Sequence, residues 1–121
     1  MGGFRDLQVW RKAKDLAVYI YRVTNKGDFC KDFGLRDQIR RAVISVASNI
    51  AEGDERDTNR ESVRFLYIAK GSLAELLTQI IISKEIGYIR DEEFNYVFGE
   101  CDVIGKMLGK LIKVRIKSYN L

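Results

Sequence analysis

Histidine and proline are both absent from this sequence of 121 residues, and each absence excludes a class of structure or chemistry. Without histidine there can be no Ser-His-Asp or Cys-His arrangement, so an enzyme would need carboxylates, a lysine or a lone cysteine. Without proline, the residue that most strongly interrupts helices is missing. The only two cysteines, Cys30 and Cys101, form no CxxC motif, so we expect no metal site and no other cofactor.

Targeting signals and long apolar runs are missing as well. The N-terminal MGGFRDLQVW lacks the apolar core of a signal peptide, and the longest apolar run, residues 73–82, is too short to span a bilayer. We therefore expect a cytoplasmic protein that makes no membrane contact. A hydrophobic content of 46% and a charged content of 31% are typical of a folded chain, and the length fits one domain, residues 1–121.

Four amphipathic segments, separated by glycine and polar clusters, make up most of the chain, and none alternates in the way a strand requires. The pattern predicts an all-α fold, specifically an antiparallel up-down-up-down four-helix bundle. Asp6 is the predicted N-cap of the first helix, Thr58 with Glu61 forms a capping box for the third, and Gly87 ends it. The predicted helices cover about residues 6–25, 34–53, 59–86 and 91 onwards.

A polar stripe at helical spacing lies beside the apolar face of the second predicted helix. Its members are Ser45, Asn49, Glu52 and Arg56. Because a buried charge needs a partner, we interpret the stripe as a buried hydrogen-bond and ion-pair network that fixes helix register. Arg41 or Arg56 is the expected cation for Glu52, and Glu75 of the third helix is expected to face Glu52. Alternatively, Asn49 and Arg56 line a cleft for a ligand or an RNA base.

Basic residues gather in two places of a chain whose net charge is +4. Four lysines of the last helix share one face, and no acidic residue follows Asp102: they are Lys106, Lys110, Lys113 and Lys117. Three arginines lie near the start of the second helix: Arg36, Arg40 and Arg41. Such groups can neutralise phosphates of a nucleic acid, and the arginines would extend the row of four lysines if the helix ends were adjacent. A solvated lysine face fits the same pattern.

Four motifs resemble those of the 23S rRNA-intervening sequence proteins, and the likeness covers nearly the whole chain. They are FRDLQVW at 4–10, QIRRA at 38–42, NIAEGDER at 49–56 and IAKGSLAEL at 68–76. The resemblance implies a bacterial four-helix-bundle protein that assembles into a ring, commonly a homopentamer, and that is encoded in sequences inserted into 23S rRNA genes. The family is similar to accessory bundle proteins of diversity-generating retroelements, which bind nucleic acid and a reverse transcriptase through basic surfaces.

Residues and resemblance together favour a non-enzymatic, oligomeric protein that binds or scaffolds RNA. The alternative is a protein-interaction adaptor, for a reverse transcriptase or another partner, that touches no nucleic acid. A carboxylate nuclease using Glu52 or Glu75 is a third hypothesis, and it requires a divalent metal ion. A second apolar strip on the first helix, formed by Val9, Val18 and Tyr19, predicts a subunit contact.

Overall fold

The computed structural model describes residues 3–119, and every regular element in that range is a helix. A 3₁₀ turn, Gly3–Asp6, precedes five α-helices: α1 (Gln8–Val23), α2 (Gly27–Lys31), α3 (Phe33–Asp54), α4 (Asn59–Glu85) and α5 (Asp91–Tyr119). The all-α prediction is therefore confirmed, with four long helices close to their expected bounds. The short α2 was not predicted, because five residues are too few to display a helical period.

Both predicted ends of α4 are present. The Thr58 hydroxyl accepts a hydrogen bond from the Glu61 backbone N–H at 3.2 Å, as an N-cap does. Beyond the last turn, Gly87 adopts a φ of +83°, and Tyr88 N–H donates to the Ser83 carbonyl at 2.9 Å. This is the Schellman arrangement, in which a glycine reverses the chain and satisfies free helix carbonyls.

The prediction that Asp6 caps α1 is wrong. Asp6 belongs to the 3₁₀ turn, and Leu7 precedes α1 without any side-chain cap bond. The turn is held instead by a hydrogen bond from Leu7 N–H to the Phe4 carbonyl at 2.9 Å and by the Phe4 and Trp10 rings, whose centroids lie 5.0 Å apart. Apolar packing therefore outweighs the capping preference of the aspartate.

One apolar core is shared by all four long helices. Its largest fully buried aliphatic residues include Leu16, Ile20, Ile39, Ile50, Leu66, Leu76, Ile80, Ile104 and Leu108. Helix α3 packs against α1 and α4, and α5 packs against α4 and α1. Val9 also lies in the core, so its assignment to a second, outer strip is wrong. Of the other two strip residues, Val18 is exposed and Tyr19 packs on Tyr96, with ring centroids 4.5 Å apart.

Contacts at the two ends of α3 define which helix ends meet. At its start, Asp32 accepts a hydrogen bond from the Tyr88 hydroxyl at 2.9 Å, so this end lies beside the segment that joins α4 to α5. At its other end, Asp54 is bonded to Arg115 of α5 at 2.9 Å. Gly53 lies so close to the first turn of α4 that an added Cβ would be 3.1 Å from the Ser62 carbonyl oxygen.

Candidate nucleic-acid and partner interfaces

The four lysines that were predicted to share one face of α5 are exposed. Lys106 pairs with Asp102 at 3.0 Å, one turn earlier on the same helix. Lys110, Lys113 and Lys117 are exposed, and no carboxylate among residues 3–119 pairs with them. A helix rises about 1.5 Å per residue, so these three ammonium groups extend over roughly 10 Å of one helix face. We call Lys110, Lys113 and Lys117 the lysine row from here on.

Two of the three arginines near the start of α3, Arg36 and Arg40, are hydrogen-bonded within the chain. Arg36 donates to the Cys30 carbonyl and to Asp37, both at 3.1 Å, and lies over the Phe33 ring. Arg40 donates to the Thr24 hydroxyl at 2.8 Å and to the carbonyl of Tyr21 at 3.3 Å.

Arg40 therefore shares with the Thr24 hydroxyl a carbonyl in the last turn of α1, where helix carbonyls lack backbone partners. Its guanidinium also lies over the Tyr21 ring, 4.5 Å from the centroid, which is a cation–π contact. Arg41 is exposed, and within the described chain it has neither a hydrogen-bond nor an ion-pair partner. Of the three arginines, only Arg41 presents a guanidinium free of such contacts.

The two basic groups are not adjacent. The arginines lie near the end of α3 where Asp32 contacts Tyr88, just before α5 begins at Asp91. The lysine row begins at Lys110, and at 1.5 Å per residue that is roughly 30 Å further along α5. The arginines would extend the row of lysines only if the helix ends that carry them were adjacent, and that condition is not met.

One member of the polar stripe, Ser45, bonds to α4, and a second, Asn49, bonds to Ser45. The hydroxyls of Ser45 and Ser72 are 2.8 Å apart, and Asn49 Nδ2 donates to the Ser45 carbonyl at 2.9 Å and to its hydroxyl at 3.0 Å. All three side chains are at least half-buried. The Asn49 amide donates to Ser45 of its own helix, so it holds the hydroxyl that contacts Ser72.

The remaining predicted members of that network are on the surface. Glu52 and Arg56 bond to each other one turn apart, both exposed, and Arg56 lies over the Phe65 ring at 4.3 Å. Glu75 is exposed and is not bonded to Glu52. The expected pairing of Glu52 with Arg56 is confirmed, but the interpretation of these three residues as a buried network is wrong, because their side chains lie on the exposed sides of their helices.

Glu52 and Glu75 are also far apart along the helix axes. Ser45 and Ser72 are level with each other, and the two glutamates lie on opposite sides of that level, seven and three residues away. At 1.5 Å per residue they are separated by about 15 Å, whereas carboxylates that share a metal ion each lie about 2.0–2.6 Å from it. No group of three potential metal-ligating side chains occurs in residues 3–119.

A polar cluster that the sequence did not indicate joins three helices. Arg115 of α5 donates to Asp54 of α3 at 2.9 Å and to the hydroxyl of Ser62 on α4. The side chains of Arg115 and Asp54 are only 17% and 18% exposed, and Ser62 is buried. The sequence alone indicates only that the positive charge of Arg115 stabilises the C-terminal end of α5. A serine on the buried face of α4, Ser62, was the available sign that a polar partner lies there.

Glu93 is a buried carboxylate at the start of α5. Its oxygens accept from the Arg90 backbone N–H at 2.9 Å and from the Arg90 guanidinium at 3.3 Å, and Lys26 Nζ is 3.4 Å away. Burial by itself would raise the pKa of Glu93, but these hydrogen bonds and charges outweigh it and hold that pKa below its ordinary value. The carboxylate links the α1–α2 connection to the start of α5.

A groove of about 640 Å³ lies between α1 and α3. Its floor includes Ala17, Val18 and Ile44, and its rim carries Lys14, Arg22 and Arg40. We call it the α1–α3 groove. No carboxylate lines it, so the groove combines an apolar floor with positive charge.

Helix α4 leaves much of its apolar surface uncovered. By length and composition it could cross a membrane, with a mean hydropathy of 1.4 over its most apolar 18-residue window, of which 33% is buried. Its other face packs in the shared core, and we infer no membrane from it. We call its large exposed apolar side chains, together with the residue that follows the helix, the α4 strip: Tyr67, Ile68, Ile81, Ile82 and Ile86.

These features define a small protein that is all-helical over residues 3–119. The family of 23S rRNA-intervening sequence proteins matches residues 5–110, and the chain belongs to that family. A crystal structure of a protein of unknown function from the S23 ribosomal protein family of Bacteroides thetaiotaomicron VPI-5482 superposes with a TM-score of 0.79. The two are 25% identical, over 87% of this chain and 98% of the other. No curated protein matches the chain.

Proposed function

We propose that this protein is a non-enzymatic, oligomeric RNA-associated binding protein of the bacterial cytoplasm. The observation that carries the proposal is the lysine row: three exposed ammonium groups on one helix face, unpaired within residues 3–119, in a chain segment with no acidic residue after Asp102. Membership of a family named for sequences that interrupt 23S rRNA supports RNA as the polyanion.

The scaffold in this proposal is an antiparallel up-down-up-down bundle of α1, α3, α4 and α5. It is supported by the contacts at each end of α3, where Asp32 meets Tyr88 and Asp54 meets Arg115. Such a bundle holds α5 rigidly against α4, so the lysine row keeps a fixed spacing. The resemblance to the family suggests that several copies, commonly five, form a ring, and the uncovered α4 strip supports self-association.

The mode of binding follows from the chemistry of lysine. An ammonium group contacts phosphate oxygens as a point charge and releases condensed counterions, which gives affinity that falls as salt rises. Contacts to phosphates carry no sequence information, so binding should be weakly selective. For single-stranded RNA the slope of log K against log salt is about −0.7 per phosphate, or roughly −2 for the three lysines of one chain.

Fluorescence anisotropy with two labelled RNAs of unrelated sequence, over a salt series from low to physiological, tests the proposal. We expect both RNAs to bind with similar affinity, and binding to weaken at least tenfold over a fourfold rise in salt. Substitution of the lysine row, Lys110→Gln, Lys113→Gln and Lys117→Gln, should abolish most of the binding. The absence of measurable affinity at low salt would refute the proposal.

A protein-interaction adaptor is the second candidate, and a groove between α4 and α5 favours it. This groove, of about 370 Å³, includes Leu73, Leu77 and Phe98 in its lining, and Lys70 and Lys106 contribute charge. A reverse transcriptase is one partner class that the family resemblance suggests. Pull-down with and without nuclease separates the two functions: a partner retained after nuclease, by a protein in which the lysine row is neutral, would favour the adaptor.

A further inference from the structure

Glu75 is the only ionisable side chain between Lys70 and Lys84, on the most apolar part of α4. It lies in mid-helix on the exposed side, among residues of the α4 strip such as Ile68 and Ile82, which are 44% and 46% exposed. An apolar helix face with one central carboxylate is suited to a partner surface that is apolar and carries a cation.

The same chain carries a surface of that description. The α1–α3 groove has an apolar floor, and Arg22 on its rim is exposed and without an ion-pair partner in the described residues. A smaller depression of about 340 Å³ shares Tyr21, Arg40 and Ile44 with the groove and adds Arg41 and the carboxylate of Asp37, so Arg22 is the cation of the groove itself. The two surfaces therefore complement each other in both apolar character and charge.

We infer that the α4 strip of one copy docks into the α1–α3 groove of a second copy, with Glu75 pairing with Arg22. This inference rests on the oligomeric state in the proposed function and names the surfaces that form it. Because the two surfaces are different patches of one chain, the contact is head-to-tail, and it closes into a ring when the rotation per subunit permits. The lysine row is on neither surface and stays available to RNA.

Sedimentation velocity of the purified full-length chain, over a range of protein concentrations, tests the pairing. Glu75→Lys should convert the wild-type oligomer to the single chain of 13.9 kDa. Asp57→Lys makes the same charge change at an exposed position in the α3–α4 connection, outside both surfaces, and should leave the oligomer intact. Arg22→Glu alone should also dissociate the oligomer, and combination with Glu75→Lys should restore it.

The apolar part of the contact has its own pair of variants. Ile82→Ser should dissociate the oligomer, whereas Val114→Ser, at an exposed α5 position outside both surfaces, should not. Circular dichroism checks that each variant keeps its helices.

A wild-type protein that sediments as one chain at every concentration would refute the oligomeric part of the proposed function. An oligomeric wild type whose state is unchanged by Glu75→Lys and Ile82→Ser would overturn only this pairing. Dissociation by Glu75→Lys that the double variant does not reverse would overturn the groove as the docking surface. An Arg22→Glu variant that loses RNA binding but keeps the oligomer would also overturn the groove as the docking surface, and it would assign the groove to nucleic acid.

Discussion

Replacement of Arg115 by methionine would remove the cation of the cluster that joins α3, α4 and α5 while it keeps an apolar stem of similar length. The guanidinium donates to Asp54 and Ser62, and all three side chains are largely buried. A hydrogen bond to a charged group contributes about 1.5–3 kcal/mol, and loss of one partner of a buried ion pair costs about 3–5 kcal/mol.

The Asp54 side chain retains 18% exposure, so water can partly solvate it after the substitution. The cost should therefore lie in the range of about 1.5–3 kcal/mol for a hydrogen bond to a charged group rather than in the higher range. We expect Arg115→Met to lower the free energy of unfolding by about 2 kcal/mol, or the melting temperature by roughly 8 °C. Asp54→Asn in the Arg115→Met background should cost much less than in the wild type, because the two effects share one interaction.

Urea unfolding followed by circular dichroism measures these effects, at one fixed protein concentration because self-association would add to the apparent stability. Lys113→Met is the matched control: it removes a neighbouring charge from the exposed face of α5 and should change the free energy of unfolding by less than about 0.5 kcal/mol. Equal destabilisation by the two substitutions would refute the structural role of Arg115.

Four further predictions concern single positions. Burial raises the pKa of the Cys101 thiol to about 12, so at pH 8 a thiol reagent should label Cys30 long before Cys101; equal rates would contradict this. Because its pKa is lowered by folding, Glu93 stabilises the protein above the pKa it has when unfolded, and this contribution disappears as pH falls through the lower folded-state pKa. Glu93→Gln should therefore be destabilising at pH 7 in urea unfolding, with a difference from wild type that shrinks in acid; a constant difference would contradict it. Gly87→Ala should lower the free energy of unfolding by about 1–2 kcal/mol, because the φ of +83° is strained for alanine. Gly71→Ala, in an open mid-helix position, should raise it by about 0.5–1 kcal/mol, and thermal unfolding that ranks the two variants the other way would contradict both.

Local signals in the sequence were sufficient for the helices and for some of their ends. Thr58 with Glu61, and Gly87, act through residues within one turn, so their role can be predicted without knowledge of tertiary packing. The exposure of Lys110 and Lys113 follows from the same helical period that buries Leu108 and Ile112.

Contacts between helices could not be predicted in this way. The period of α3 identified Ser45 and Asn49 as one stripe with Glu52, but it could not reveal that the Glu52 side chain lies exposed while Ser45 meets Ser72. Arg40 resembled a phosphate ligand because the sequence does not disclose that the last carbonyls of α1 lie beside it. The roles of these side chains depend on how the helices pack together, which the helical period of one segment does not contain.

The central claim is that the lysine row provides the RNA contact, and a comparison of salt dependences tests it most directly. The row variant, with glutamine at 110, 113 and 117, is measured against a control with Lys12→Gln, Lys31→Gln and Lys84→Gln. Both lower the net charge from +4 by three, but Lys12 and Lys84 already pair with carboxylates and Lys31 lies on α2. We predict that the slope of log K against log salt becomes less negative by about two units in the row variant and stays near the wild-type slope in the control. Equal slopes in the two variants would contradict the account, since net charge rather than the row would then govern binding.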